Sequence, residues 1–186
     1  MASIVDALKN ELTSVIAGAG DIVASTRDVA KNTLVDTLKA GGDVGAASLD
    51  IVSGVVSEGV GAASQVGASV TKASVGLVSG AISAANEVGA DLGTTTENAA
   101  HGAVKGISSV GGDVGEAAVS AVEGALDAAR EIGTDSGSLA RDAVMGSLRA
   151  ADEIGSEAGS IARKALLNAA ALPHDVIDAL LTGKTE

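Results

Sequence analysis

The residues best suited to acid–base or metal chemistry in this chain are two histidines, His101 and His174, and no cysteine accompanies them. Neither histidine belongs to an HExxH pair, the helical spacing that holds zinc. Serine is common, but no Gly-x-Ser-x-Gly elbow follows a strand-like segment, so no nucleophile is marked. Gly111-Gly112-Asp113-Val114-Gly115 is glycine-rich like a phosphate loop, yet it lacks the Lys-Ser/Thr that contacts phosphate. The carboxylates are more regular. Glu87/Asp91, Glu131/Asp135 and Glu153/Glu157 are pairs four residues apart, with Asp113 alone in the same series. Rows of carboxylates could bind a divalent cation such as calcium, which takes oxygen ligands. They are equally the residues favoured at helix N-termini, where the macrodipole is positive, and that reading is preferred. No cofactor, metal or catalytic residue is expected.

The carboxylates recur because the chain repeats. Asp43-Val44-Gly45, Gln65-Val66-Gly67, Glu87-Val88-Gly89, Ser109-Val110-Gly111, Glu131-Ile132-Gly133 and Glu153-Ile154-Gly155 follow one another at steps of 22. Numbering the first residue of each triplet as column 1, column 14 reads Leu34, Val56, Val78, Ala100, Val122, Val144, Leu166. Column 18 reads Leu38, Val60, Ile82, Val104, Leu126, Leu148, Ala170. Twenty-two residues make six helical turns of about 3.67 residues, a period that keeps one apolar stripe in line along a nearly straight helix. Nothing alternates with period two. The expected fold is all-α: tandem 22-residue amphipathic glycine/alanine-rich repeats forming long helices or helical hairpins packed closely against other copies. Residues 1–20 read as a degenerate repeat, 21–172 as seven repeats, and 173–186 as a turn at Pro173, a short helix and a tail.

The chain carries 25 glycines, and each costs about 1 kcal/mol against alanine inside a helix. Two accounts offset this. In one, each repeat is a short helix ended by a real break, such as Gly133–Gly137 or Gly155–Gly159, with Ser138 and Ser160 as N-caps. In the other, continuous helices use glycine for close approach. Gly89/Gly93, Gly111/Gly115, Gly133/Gly137 and Gly155/Gly159 are GxxxG pairs, and column 16 adds Gly80, Gly102, Gly124 and Gly146. A neighbour shifted by half a repeat would set Val122, Leu126, Val144 and Leu148 over the paired glycines. The same stagger would bring Arg141 and Arg163 near the column 1 acids. The second account is preferred, and these eight paired glycines and four aliphatic residues are the expected self-association interface. If the chain turns back on itself, the turn is expected near Gly93–Thr96.

Composition narrows the function. There is no Phe, Trp or Tyr, and the formal net charge is −12, which excludes a phosphate-binding surface for nucleic acid. Acids at Asp6 and Glu11 interrupt the N-terminal apolar run, so no signal peptide is read and a cytoplasmic location is expected, with a non-classical extracellular route left open. The stretch from Gly59 to Asn86 carries only Lys72, but it is built from Ala, Gly and Ser and lacks interfacial aromatics, so it is read as a packed helix and not a membrane span.

The repeat resembles the 11- and 22-residue amphipathic repeats of synucleins, exchangeable apolipoproteins and late-embryogenesis-abundant proteins. Val56-Ser-Glu-Gly-Val60 is the nearest echo of the synuclein repeat motif. The resemblance implies binding to lipid surfaces. The residues themselves point first to a non-enzymatic structural protein whose partner is itself, assembled as a filament, sheath, shell or large bundle. The alternative is an amphipathic coat on a lipid, membrane or storage-granule surface.

Overall fold

A three-residue turn, recurring at the spacing of the sequence repeat, sets the helix boundaries. The computed structural model describes residues 2–18, 21–40, 47–170 and 172. Over these residues the chain is all-helical: α1 (Ala2–Gly18), α2 (Ile22–Ala40), α3 (Ala47–Gln65), α4 (Val70–Val88), α5 (Leu92–Ser109), α6 (Val114–Ile132), α7 (Ser136–Ile154) and α8 (Ser156–Asn168).

Each turn ends one helix and starts the next with a fixed set of hydrogen bonds. Gly67, Gly89, Gly111 and Gly133 have φ of +72°, +73°, +78° and +71°. The following N–H donates to the carbonyl five residues back: Ala68 to Ala63 (2.9 Å), Ala90 to Ala85 (2.8 Å), Gly112 to Ile107 (2.8 Å) and Thr134 to Ala129 (3.0 Å). This is a Schellman ending, which satisfies carbonyls that would otherwise be orphaned. One residue later comes the N-cap of the next helix. Ser69 Oγ accepts from the N–H of Lys72, and the carboxylates of Asp91, Asp113 and Asp135 accept from Thr94, Glu116 and Ser138.

The expectation of continuous helices is therefore corrected. The break after α6 is Gly133-Thr134-Asp135, and its N-cap is Asp135, two residues before Gly137. Ser138 lies inside the first turn of α7, and Ser160 lies inside α8. Gly93–Thr96 form the first turn of α5, the actual turn being Gly89–Asp91. A left-handed conformation costs an L-residue about 1–2 kcal/mol, and a Cβ at Gly133 would meet nothing within 4 Å. Backbone conformation, not packing, thus selects glycine in that column. The surroundings of Gly89, Gly111 and Gly155 are equally open. At Gly155 the backbone is extended and joins α7 directly to α8. The Gly41-Gly42 pair and residues 173–186, with the final helix expected there, lie outside the described residues.

Every described helix packs its backbone against its neighbours one and two places along the chain, and a long-range ion pair, Arg27 of α2 to Glu131 of α6, reaches further. Consecutive helices form hairpins. Alternate helices stack in two rows, α1-α3-α5-α7 and α2-α4-α6-α8. This is the quasi-one-dimensional plan of an α-solenoid. The seam within a row is made by column 16. A Cβ on Gly80, Gly102 or Gly146 would overlap the backbone carbonyl oxygen of Arg27, Ser53 or Glu97, and one on Gly124 would lie 2.7 Å from that of Val75. Gly102–Ser53, Gly124–Val75 and Gly146–Glu97 are all 49 positions apart, so the register repeats from α3 to α7, while Gly80–Arg27 is 53 apart, about one helical turn different. That register replaces the half-repeat stagger, since parallel helices two repeats apart, not neighbours shifted by eleven, are what the turns bring together. The apolar stripe lines the core between the rows: Val56, Val78, Val104 and Val122 are fully buried, surrounded mainly by alanine.

The two kinds of glycine separate by mutation. Gly146→Ala forces α7 off the α5 backbone and should destabilise by about 3 kcal/mol. Gly54→Ala, on an exposed stretch of α3 with nothing within 4 Å of the new Cβ, should stabilise by about 0.8 kcal/mol through helix propensity. Chemical denaturation followed by circular dichroism measures both.

Candidate functional site

The twelve residues expected at an interface between copies divide into three groups within one chain. Gly89, Gly111, Gly133 and Gly155 are in the helix breaks. In column 7, Gly93 lies against Asp142, and Gly115 lies against Ala165 and Ile161. These two do face the helix two places along, although what covers them is not the column 14 and 18 aliphatics. Gly137 has only its own N-cap Asp135 nearby, and Gly159 lies against Asp152 and Arg163. Val122, Leu126 and Val144 are buried and Leu148 is partly buried, all in the chain's own core.

The polar groups of the α3-α5-α7 row form a chain across three helices. Ser53 Oγ lies 3.1 Å from His101 Nδ1, and His101 Nε2 lies 3.1 Å from Glu153 Oε2. Lys105 Nζ donates to the same oxygen at 3.1 Å. One turn away, Arg149 donates to Glu97 (2.6 Å) and to Asn98 (3.2 Å). The α2-α4-α6 row has its counterpart: Lys31 and Lys39 hold Glu87, and Arg27 reaches Glu131. Arg163 pairs with Asp152 at 2.8 Å. The sequence reading missed His101, Ser53 and Lys105 as one group. The only signal was their separation by roughly two repeats, which becomes a contact once alternate helices are known to stack.

A hydroxyl, an imidazole and a carboxylate in a row is the grouping used for nucleophilic catalysis. Catalysis also needs donors aimed at a developing oxyanion. Ser53 sits in the interior of α3, where the backbone amides are engaged in the helix, and its own carbonyl is pressed against Gly102. Through these contacts the row links α3 to α5 and α5 to α7. Most of the carboxylate series is similarly occupied: Asp91, Asp113 and Asp135 are N-caps, Glu87, Glu131 and Glu153 are ion-paired, and Glu157 alone is exposed without a partner. Among the described residues no group of three His, Asp or Glu is placed to hold a metal ion.

A cleft of about 800 Å³ opens between the α4–α5 and α6–α7 turns and is lined by Asp91, Asp135, Asp142, Thr134 and Ser138 among others. Burial, reinforced by the carboxylates of Glu97 and Asp91 and opposed by Arg141, pushes the Asp142 carboxyl above its ordinary value. Two other acids shift the opposite way. Hydrogen bonds from Lys105 and His101 hold Glu153 low, and those from the Thr94 hydroxyl and backbone hold Asp91 low.

No protein-family model matches the chain, and no curated protein matches it. Among the described residues no helix is long and apolar enough to cross a membrane.

The opposite shifts give opposite pH effects. A raised carboxyl contributes stability at low pH that is lost as the pH climbs through its folded value. A lowered one contributes stability above the unfolded value that is lost on acidification. Asp142→Asn should therefore raise the denaturation midpoint at neutral pH, with the gain vanishing in acid. Glu153→Gln should lower the midpoint at neutral pH and converge on the parent chain in acid. Denaturation curves at a series of pH values test both signs.

Proposed function

We propose that this chain is a non-enzymatic structural protein that works by assembling with copies of itself. The observation that carries the reading is the exposed apolar surface on α7 and α8. Each helix packs against the helices one and two places away, and α7 and α8 carry exposed apolar side chains. Met145, Ile154, Ile161 and Leu167, between 37% and 47% exposed, all lie on α7 and α8. Solenoids hide such ends by capping repeats or by association. The candidate chemistry supports the same reading, because the carboxylates of the series other than Glu157, the His101 imidazole and the buried glycines are engaged in caps, ties and seams.

Burial of the stripe favours assembly over a coat on lipid. The side chains that would lie on an apolar surface, such as Val56, Val78 and Val122, are fully buried in the chain's own core. A coat protein of this composition would have to open its helical rows to bind. The glycine column 16 is likewise already filled within the chain, so contact between copies rests on the exposed aliphatic side chains of α7 and α8.

Light scattering and electron microscopy of the purified chain, with and without phosphatidylcholine vesicles, test the proposal. The expected result is a lipid-independent species heavier than the 17.8 kDa chain. A monomer that gains helicity only when vesicles are added would overturn it in favour of the coat.

A further inference from the structure

Ile161 is the one place where a core column comes to the surface on a helix that has no described successor. Column 9 is buried at Val29, Ala73, Thr95, Ala117 and Leu139, and half-buried at Ile51. In α8 the same column is Ile161, and it is 43% exposed. Its inner side rests over Gly115 of α6, within 3.3 Å of where a Cβ would stand. It borders a cleft of about 510 Å³ lined by Val114, Ile154 and Ala158 and also by the polar Asp113, Ser156 and Glu157. Ile154 is 42% exposed, and Val110, two residues before the cleft's Gly112, is 37% exposed. This is an apolar surface concentrated at one end of the row.

The charges beside Ile161 specify what fits there. Glu157 lies four residues before it and Lys164 three residues after. At 100° per residue both fall on the same side of Ile161, while Ala158 and Ala165 fall on the other, toward α6. Among the described residues Glu157 and Lys164 are exposed, and neither belongs to a hydrogen bond or ion pair. A two-fold axis at Ile161 runs two copies of α8 antiparallel. It sets Ile161 on Ile161 and brings Glu157 of each copy beside Lys164 of the other, making two symmetric ion pairs around an apolar centre. The sequence of α8 is thus complementary to itself in that orientation, as an isologous interface requires.

The geometry points to a closed dimer of this chain, paired two-fold through the outer face of α8, with Ile161 at its centre. This rests on the proposal that the chain assembles with itself and names the contact by which it begins.

The chain has no cysteine, so an introduced one reports this contact alone. Ile161→Cys should form a disulfide-linked dimer under mild oxidation. Met145→Cys, on α7 and 47% exposed, should not cross-link under the same conditions. In sedimentation equilibrium Glu157→Lys should weaken association about tenfold, and Glu157→Lys with Lys164→Glu should restore it, because the swapped pair is again complementary. Recovery in the double variant separates the interface from any effect on folding. If the parent chain is oligomeric but Ile161→Cys does not cross-link and the charge swap does not rescue, this interface is wrong and self-assembly stands. If the parent chain is a monomer at every concentration tested, both proposals fall.

Discussion

A helix whose buried face is mostly alanine, valine and glycine gains little per residue from burial, so its neighbour must come close. The fold is organised around that requirement. From α4 to α7 the later helix of each row presents a column 16 glycine, and the earlier helix places a backbone carbonyl into the space where a side chain would stand. Close approach lets many small side chains touch at once, so dispersion and apolar burial accumulate without large residues. The absence of aromatic residues follows from the same constraint, because a ring in the seam would separate the backbones. The turns serve it as well. Gly-x-Asp or Gly-x-Ser satisfies both helix ends in three residues and returns the chain so that every second helix lies beside its predecessor.

The polar surface is fitted around these seams. Ties run between helices two places apart, from Glu87 to Lys31 and Lys39, and from Glu153 to His101 and Lys105. Each exposed pair contributes little by itself, but all join helices that already share a glycine seam, so they reinforce one register. The aspartates of the turns act as caps, worth about 1 kcal/mol each. Asp142 is the exception. It lies over Gly93 in a cleft with other acids, and its charge opposes the fold that its backbone helps to build. The net charge of −12 is therefore carried largely on outer faces, where water and counterions screen it.

Helical class was legible because the apolar columns keep a helical period without interruption. Burial of columns 14 and 18 was legible for the same reason. The helix breaks were harder to read, because the stripe runs straight through them: Ile132 before the Gly133 turn and Leu139 after it keep the phase of a continuous helix. What stops the helix is local, a left-handed glycine with an aspartate two residues later, and that pattern was first read as part of a packing motif. Column 16, which was secondary in the sequence reading, proved to be the seam. Column 3 proved to be the turn. A glycine at a close contact and a glycine at positive φ look alike in sequence, and only the path of the backbone separates them. The Ser53–His101–Glu153 tie was invisible because its members are 48 and 52 residues apart.

The central claim is that broken helices fold back so that α7 lies against α5. Spin labels at Glu97→Cys and Arg149→Cys test it most directly, because the chain has no other cysteine and these two positions are in contact in the fold. Pulsed dipolar spectroscopy on a dilute, doubly labelled chain should give a single short distance, under about 25 Å once label length is allowed for. A continuous helix would hold the same positions roughly 78 Å apart, at about 1.5 Å per residue. A distribution centred near that longer value would contradict the account.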